Sequence, residues 1–313
     1  MRASTILEPR SYRGATGVST AFGTFGELLQ GALPEADGDF LVTLPIARWS
    51  IATFRTDPES PTVRVRPEGK RKALRLARMI LDEAGETCGG LLTIDSGIPE
   101  GKGLASSSAD LVATARAVGN ALGLAMPARR VEDLLGRIEP TDGVLYQSIV
   151  AFYHRRVRLR SVLGSLPPMA VVGIDEGGMV DTVAFNRIPK PFTAADRREY
   201  AGMLDRMTAA VRAGDLRAVG EVATRSAEMN QVLRPKRTLA ALRRICAEVG
   251  GLGVVNAHSG TTLGVLIDTR EPDSRERVAE AAKRCLGLAG NVTVYRSLSF
   301  EGRPSLVEDH RAR

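Results

Sequence analysis

The stretch PEGKGLASSSAD, Pro99 to Asp110, lies between a segment with a strand pattern and a segment with a helix pattern. Residues 91–94 before it predict a strand, and the apolar residues after it recur at helical spacing: Leu111, Val112, Ala115, Val118 and Leu122. The first backbone N–H groups of a helix have no intrahelical partner, and the helix dipole favours negative charge there. A glycine-containing loop that leads into such a helix therefore predicts a cradle for an anion.

The side chains of this stretch add donors to the cradle. Gly103 would let the backbone approach a ligand closely, and Lys102 would add a positive charge. The three hydroxyls of residues 106–108 could hold phosphate oxygens or a magnesium ion, so a polyphosphate fits best. The alternative is a serine N-cap behind a glycine turn, with no ligand at all. The stretch contains neither G-x-x-x-x-G-K-[ST] nor G-x-G-x-x-G, so the general phosphate motifs do not decide between these alternatives.

The composition indicates a soluble globular protein. The chain has 313 residues, of which 43% are hydrophobic, enough for one large domain or two of ordinary size. It has no uninterrupted apolar run of membrane-spanning length and no apolar centre of a secretory signal near its start, so we expect a cytoplasmic protein without a membrane partner. The three cysteines, Cys88, Cys246 and Cys285, have no short spacing, which predicts reduced thiols rather than disulfides or a zinc site.

The formal net charge of +7 is compatible with a nucleic-acid partner or with an enzyme that acts on anions. Only 4% of the residues are aromatic, which argues against single-strand nucleic-acid binding because that function needs rings for base stacking. A solvated, arginine-rich surface is the simpler interpretation. A non-catalytic nucleic-acid-binding or regulatory protein stays as the alternative class.

The hydrophobic patterns predict an α+β fold with a boundary near residue 165. Strands are expected at 40–44, 49–54, 91–94, 156–164, 169–177 and 292–300, with a strand, a glycine-containing turn and a second strand over 252–268. Helices are expected at 71–84, after the serines, between Pro127 and Pro140, and at 193–213, 215–230, 238–249 and 272–286. The tail from Glu301 is polar and predicted to be loose.

The pattern P-x-x-x-G-L-x-S-S in the opening stretch closely resembles the ATP-binding loop of the GHMP kinases, the family of galactokinase, homoserine kinase, mevalonate kinase and phosphomevalonate kinase. The resemblance implies a two-domain α+β fold with ATP in the cleft between the domains. Residues 1–165 would form a domain related to ribosomal protein S5 domain 2, and residues 166–313 a ferredoxin-like domain. The residues it assigns to ATP are Pro99, Gly101, Lys102, Gly103, Leu104, Ala105, Ser106, Ser107 and Ser108.

Two further motifs of the family have counterparts here. GTFGELLQG (Gly23–Gly31) is similar to its first motif, and NAHSGTTLG (Asn256–Gly264) stands where the family has a glycine-rich loop over the phosphates. In the latter, several of the usual glycines are replaced by histidine, serine and threonine. His258 there could contact a phosphate or a substrate carboxylate, or serve only the turn. The substrate-binding residues expected from the resemblance are Glu27, Gln30, Thr141, His258, Ser259, Gly260 and Thr261.

The segment EPTDG, residues 139–143, supplies the carboxylate that phosphoryl transfer needs beside the acceptor hydroxyl. The resemblance assigns Asp142 as general base or electrostatic orienter and Lys102 as a second catalytic residue. The alternative for Asp142 is the N-cap of a helix over 144–151. The family's Mg²⁺ site joins a loop serine to a glutamate; Ser107 is the expected serine and Glu139 the expected glutamate, with Glu132 as the competing candidate.

Within the family, the combination of GELLQG, GKGLASSSAD, EPTD and AHSGTTLG is most similar to the L-threonine kinases of cobalamin synthesis and propanediol utilisation. This implies an ATP- and Mg²⁺-dependent kinase for the side-chain hydroxyl of L-threonine, with homoserine, a sugar or a specialised-metabolite precursor as alternative small-molecule substrates. The oligomeric state, including a homodimer, stays open. His154 is interpreted as a packed or surface residue. Asn230 and Arg234 are interpreted as an exposed helix end, with a substrate-carboxylate clamp as the alternative.

Overall fold

The computed structural model describes residues 14–178, 188 and 190–300. Within these residues the strands are β1 (Thr16–Ala32), β2 (Asp39–Asp57), β3 (Val63–Arg66), β4 (Gly89–Ser96), β5 (Ile149–Tyr153), β6 (Arg158–Gly164), β7 (Met169–Asp175), β8 (Gly253–Asn256), β9 (Thr262–Asp268) and β10 (Thr293–Arg296). The α-helices are α1 (Arg71–Glu83), α2 (Ser106–Ala121), α3 (Ala128–Gly136), α4 (Ala194–Ala213), α5 (Leu216–Met229), α6 (Leu239–Glu248) and α7 (Ser274–Ala289). The α+β pattern predicted from the sequence is confirmed.

One ten-stranded sheet connects the two halves of the chain. Its main path runs β10-β7-β9-β8-β1-β2-β4-β3, and β5 and β6 extend from β2. All neighbours are antiparallel except β3 and β4. Strand β1 pairs with β8 through Glu27 and Asn256, so the first and third family-like motifs lie side by side.

The long strand β1 is irregular where it meets β8. Its register against β2 shifts between Thr24 and Glu27, and Gly26 has φ +52°. A Cβ on Gly26 would lie 2.4 Å from the carbonyl oxygen of Asn256, so only glycine permits this close approach. The bulge presents Glu27 at the junction of β1 and β8.

The core has two parts, and the larger part takes residues from both halves of the chain. Helix α2 is apolar or small along most of its length and packs against β1, β2 and α1, and α4 and α5 reach β1 as well. Helices α6 and α7 cover β7, β8 and β9 through a second cluster that includes Val172, Leu242, Val254, Val265 and Cys285. No helix within the described ranges is both long and apolar enough to cross a bilayer.

Several expected elements differ from the structure. The segments 40–44 and 49–54 are parts of the single strand β2. The strands expected at 156–164 and 292–300 are shorter in the structure, where they correspond to β6 and β10. The prediction of a helix over 144–151 is wrong, because residues 144–148 form turns and bends and β5 begins at Ile149. The thiols are free as predicted, two of them buried and Cys88 partly exposed. The tail from Glu301 lies outside the described residues, and the domain boundary at 165, which falls between β6 and β7, stays a prediction.

Candidate active site

A cavity of about 740 Å³ opens where the loop before α2, the start of α1 and the EPTD turn meet. Most of the residues predicted from the sequence line it: Glu27, Gly101, Gly103, Leu104, Ala105, Ser106, Ser107, Ser108, Glu139, Thr141, Asp142, His258 and Ser259. Side chains that the sequence did not single out for a ligand also line it, among them Lys70, Lys72, Asp110 and His154. Pro99, Lys102, Gln30, Gly260 and Thr261 were predicted but are not part of the lining.

The loop before α2 is built around left-handed backbone. Gly101 and Gly103 have φ +70° and +81°, and Ala105, at the N-cap position of α2, has φ +60°. A Cβ on Gly103 would lie 2.4 Å from the Cβ of Ala257, so this glycine is required twice, by conformation and by space. No side chain caps α2, and Ser106 is its first helical residue. The serine N-cap proposed as the ligand-free alternative is therefore absent from this helix start, and its first-turn amides lie at the cavity.

The first and third family-like motifs both hold this loop, which is the second. The backbone N–H groups of Thr24 and Gly26 donate to the carbonyls of Leu104 and Gly103, at 3.2 and 3.3 Å. From the other side, the hydroxyl of Thr262 donates to the carbonyl of Lys102 at 3.0 Å. The loop therefore lies between β1 and the β8–β9 connection.

Asp142 is hydrogen-bonded directly to the first turn of α2. The hydroxyl of Ser108 donates to Asp142 Oδ2 at 3.2 Å, and the backbone N–H of Asp142 donates to the same hydroxyl oxygen at 3.1 Å. Desolvation by the surrounding protein raises the pKa of Asp142 to about 6; the hydrogen bond from Ser108 opposes this rise, and the charge of Glu139 adds to it. A carboxylate with this pKa is suited to take up a proton near neutral pH.

Glu27 is a second acid at the same place, and it is buried. Its pKa lies well above the usual range because burial disfavours the charge and because Asp142 is also negative. Among the residues that the structure describes, no hydrogen-bond partner is found for Glu27 Oε2. The cavity thus contains two acids close enough to affect each other's ionisation.

Glu139 and Glu132, the two candidates for a metal-binding glutamate, lie in different surroundings. The hydroxyl of Ser107 donates to Glu139 Oε1, and the ammonium of Lys72 pairs with Glu139 Oε2. Glu132 accepts instead from the hydroxyl of Tyr146 at 2.8 Å and from the backbone of Leu159 at 2.7 Å, outside the cavity lining. Glu139 is therefore the candidate that the fold brings to Ser107.

The two lysines of the cavity come from the start of α1. Lys70 precedes the helix and pairs with Asp110 at 2.6 Å and with Glu100, while Lys72 pairs with Glu139. Positive charges at a helix N-terminus interact unfavourably with the helix dipole, so the two lysines are placed against the usual preference of a helix start. Violations of this kind concentrate at functional sites, and the run GKRK was the signal that could have identified both residues.

Lys102, predicted as a catalytic residue, lies differently from the expectation. Its ammonium is 2.6 Å from Asp175 Oδ2 and donates to the carbonyl of Gly178 at 2.8 Å. The side chain thus reaches from the loop to the end of β7, and the lysines that line the cavity are Lys70 and Lys72.

The remaining predicted residues connect structural elements. Gln30 donates through Nε2 to the carbonyl and to Oδ1 of Asn256, at 3.2 and 3.1 Å. The hydroxyl of Thr261 donates to Asp175, and the carbonyl of Gly260 accepts from Arg234 at 3.1 Å and from Lys236. Asn230 was expected to be exposed and is buried, so that interpretation is wrong.

Two histidines complete the cavity. The rings of His154 and His258 are buried and meet edge to face, with centroids 4.6 Å apart. The backbone N–H of Thr141 donates to the carbonyl of His154 at 3.0 Å, which places β5 beside the EPTD turn. Burial lowers the pKa of His258 well below its usual value, and the neighbouring His154 and Lys190 lower it further. The sequence did not identify His154 because its own segment, FYHRR, reads only as the end of a strand.

Comparison with known proteins assigns the family. The model of the GHMP kinases N-terminal domain matches residues 71–153, and that of the GHMP kinases C-terminal domain matches residues 207–287, together more than half of the chain. The chain belongs to the GHMP kinases. It is therefore a phosphotransferase that uses ATP and has an alcohol group as acceptor, which confirms the expectation from the PEGKGLASSSAD stretch.

Relatives and solved structures of this family resemble the chain over most of its length. It is 27% identical over 265 residues to an L-threonine kinase of Salmonella typhimurium, covering 83% of this chain and 86% of that one. It is 28% identical over 253 residues to an L-threonine kinase of Citrobacter freundii, covering 79% and 85%. The fold is similar to a homoserine kinase from Cytophaga hutchinsonii (TM-score 0.70, 16% identity, 96% and 97% covered). It is also similar to the mevalonate kinase of L. major in complex with R-mevalonate (TM-score 0.68, 16% identity, 91% and 96% covered).

Proposed function

We propose that this GHMP kinase transfers the γ-phosphoryl group of ATP to the side-chain hydroxyl of L-threonine, giving O-phospho-L-threonine and ADP. The proposal is supported by two relatives named L-threonine kinase that match about four-fifths of the chain. The single observation that carries the chemistry is Asp142, with a pKa of about 6, hydrogen-bonded to the first turn of α2. A role in cobalamin synthesis or propanediol utilisation and a cytoplasmic location follow from the same resemblance and stay predictions.

The start of α2 is the proposed phosphate site. The backbone N–H groups of residues 103–108 would hold the β- and γ-phosphates, because the uncapped first turn of α2 and the left-handed loop direct donors and a positive dipole end into the cavity. Lys70 and Lys72 would add positive charge on the opposite side. Lys102 would act indirectly, by attaching the loop to β7.

Ser107 and Glu139 are the proposed magnesium ligands. Their oxygens are already in contact, and a Mg²⁺ ion commonly takes one or two protein oxygens and completes its shell with phosphates and water. Within the described residues no group of three histidine, cysteine or acidic side chains could hold a metal, which agrees with a site shared with the nucleotide. When bound, the ion would neutralise charge on the phosphates.

Asp142 would take the proton of the acceptor hydroxyl. The hydroxyl oxygen forms a bond to the γ-phosphorus, the bond from that phosphorus to the leaving ADP oxygen breaks, and the proton passes to an Asp142 oxygen. Because phosphoryl transfer involves little covalent work by the protein, most of the acceleration would come from positioning and charge neutralisation.

A panel of acceptors tests the proposal. ADP release would be followed with L-threonine, L-serine, L-homoserine, mevalonate and galactose at equal concentrations. We expect the highest kcat/KM with L-threonine. Turnover with another alcohol and none with L-threonine would reassign the substrate within the family. Salt-sensitive binding to DNA or RNA, with no turnover on any acceptor, would contradict the kinase proposal as a whole.

A further inference from the structure

Part of the cavity lining combines two groups of side chains with opposite chemical character. Glu27 and Asp142 form an acidic side, and the salt bridges of the described residues include none with either carboxylate. Two neighbouring acids with no cation paired to either one repel each other and hold on to protons. A ligand that brings its own positive charge would relieve both, since a charge-assisted hydrogen bond is among the stronger contacts available in such a site.

The other side is formed by His154, His258 and Ser259, which are all buried and all line the cavity. Each imidazole ring can donate a hydrogen bond even when neutral, and the hydroxyl of Ser259 can donate as well. Lys190 lies close enough to His258 to affect its ionisation. This side is therefore built from donors and lies next to a positive charge, the character that an anionic group needs.

The two sides are connected by short backbone paths. Glu27 is paired across the sheet with Asn256, two residues before His258. His154 accepts a hydrogen bond from Thr141, the residue before Asp142. The acidic side and the donor side therefore flank the same space, beside the carboxylate proposed to take the hydroxyl proton.

We infer that this part of the cavity recognises a zwitterion: Glu27 binds the α-ammonium group of the acceptor, and His154 with His258 binds its α-carboxylate. The inference rests on the proposed function and names the residues that would select an α-amino acid over other alcohols. Both charged groups of such a molecule are attached to one carbon, which suits two binding sides that flank one small space. Uncharged sugars and simple hydroxy acids would leave at least one side without its partner.

A site of this kind can discriminate strongly between an amino acid and an analogue that lacks one charged group. A site built to hydrogen-bond a polar group rejects the analogue that lacks it, because the buried groups of the site are left unpaired. The competing explanation is structural: Glu27 would be a buried, protonated acid of the β1–β8 junction, and the two rings would be core packing.

Calorimetric binding in the presence of a non-hydrolysable ATP analogue tests the inference independently of turnover. The ligands are L-threonine, L-valine, 3-hydroxybutyrate, which lacks the ammonium group, and 1-amino-2-propanol, which lacks the carboxylate. We expect the wild type to bind both amino acids about a hundredfold more tightly than either analogue. Equal affinity for L-threonine and the analogues, or no binding of L-threonine and L-valine, would overturn the inference.

Three variants separate recognition from structure. Glu27→Gln should weaken L-threonine binding about thirtyfold and leave 3-hydroxybutyrate within threefold. His154→Gln and His258→Gln should each weaken L-threonine at least tenfold and leave 1-amino-2-propanol within threefold. Glu132→Gln removes a buried carboxylate outside the cavity and is the matched control, and affinity for the ATP analogue reports on folding in every variant.

The outcomes distinguish the two proposals. If the variants weaken all four ligands and the nucleotide alike, the role of these residues is structural and the inference fails. If the wild type phosphorylates homoserine but not threonine, the proposed function fails, and the inference stands where L-threonine and L-valine still bind more tightly than the two analogues. If it phosphorylates threonine and Glu27→Gln binds threonine within threefold of wild type, the inference fails and the proposed function stands.

Discussion

The hydroxyl of Ser108 both donates to Asp142 Oδ2 and accepts from the Asp142 backbone N–H, at 3.2 and 3.1 Å. Ser108 lies in the first turn of α2, whose amides are the proposed phosphate donors. One side chain therefore fixes the distance between the phosphate site and the proposed proton acceptor. A change in this distance would lower kcat, because positioning supplies much of the rate in phosphoryl transfer.

Replacing Ser108 with alanine should uncouple the two sites. We expect kcat with the acceptor to fall by ten- to a hundredfold while ATP affinity stays within threefold. Because the hydrogen bond from Ser108 lowers the pKa of Asp142, its loss should also move the acid limb of the pH–kcat profile to higher pH. Ser108→Thr keeps a hydroxyl and should restore part of the rate. An alanine variant with unchanged kcat and pH profile would show that the contact has no role in turnover.

The raised pKa of Asp142 predicts how stability depends on pH. An acid with a pKa of about 6 in the folded state and 3.8 in the unfolded state destabilises the fold when it ionises, and the loss develops as pH rises from 3.8 to 6. Asp142→Asn should therefore raise the free energy of unfolding at pH 8 by about 2 kcal/mol, allowing for water in the cavity, and should change it little at pH 4. Urea unfolding at both pH values measures this, and a variant destabilised at pH 8 would contradict it.

Gly103 should tolerate no side chain. Gly103→Ala would place a Cβ 2.4 Å from Ala257 and force a left-handed alanine, so we expect a loss of more than about 2 kcal/mol of stability together with nucleotide binding. Gly123→Ala is the matched control, since Gly123 has φ +61° with nothing within 4 Å of its Cβ. That variant should lose only about 1 kcal/mol and keep its affinity for ATP. Similar losses in both variants would mean that the packing against Ala257 is unimportant.

Ser107 and Glu139 should set the magnesium requirement. Ser107→Ala and Glu139→Gln should each raise the Mg²⁺ concentration for half-maximal activity by about tenfold or more, because each removes or weakens an oxygen ligand. Titration of Mg²⁺ at fixed ATP measures this. Glu132→Gln, away from the cavity, should leave the titration unchanged. A Glu132 effect without a Glu139 effect would reverse the assignment.

Much of the site could be predicted from short strings of sequence, because local chemistry determines the glycine loop, the start of α2 and the EPTD turn. Lys70 and Lys72 had only the signal of the run GKRK before a helix, and His154, which follows β5, had none in its own segment. The direction of Lys102 depends on Asp175, a residue far along the chain. The run 144–151 was misread because a short apolar run fits helix and strand equally well.

The choice between Glu132 and Glu139 shows the same limit. Both acids stand near the expected distance from the serine loop in sequence. Only the packing of α3 against Tyr146 and Leu159 turns Glu132 away from the cavity and leaves Glu139 beside Ser107. Such a contact depends on the tertiary fold and has no local pattern.

The most direct test is L-threonine-dependent formation of ADP and O-phospho-L-threonine, followed by phosphorus NMR, in the wild type and in Asp142→Ala. We predict that the wild type makes both products in equal amounts. The variant should lose about a thousandfold or more in kcat while it binds ATP with nearly unchanged affinity. Unchanged turnover in the variant, or no phosphothreonine from the wild type, would contradict the proposal.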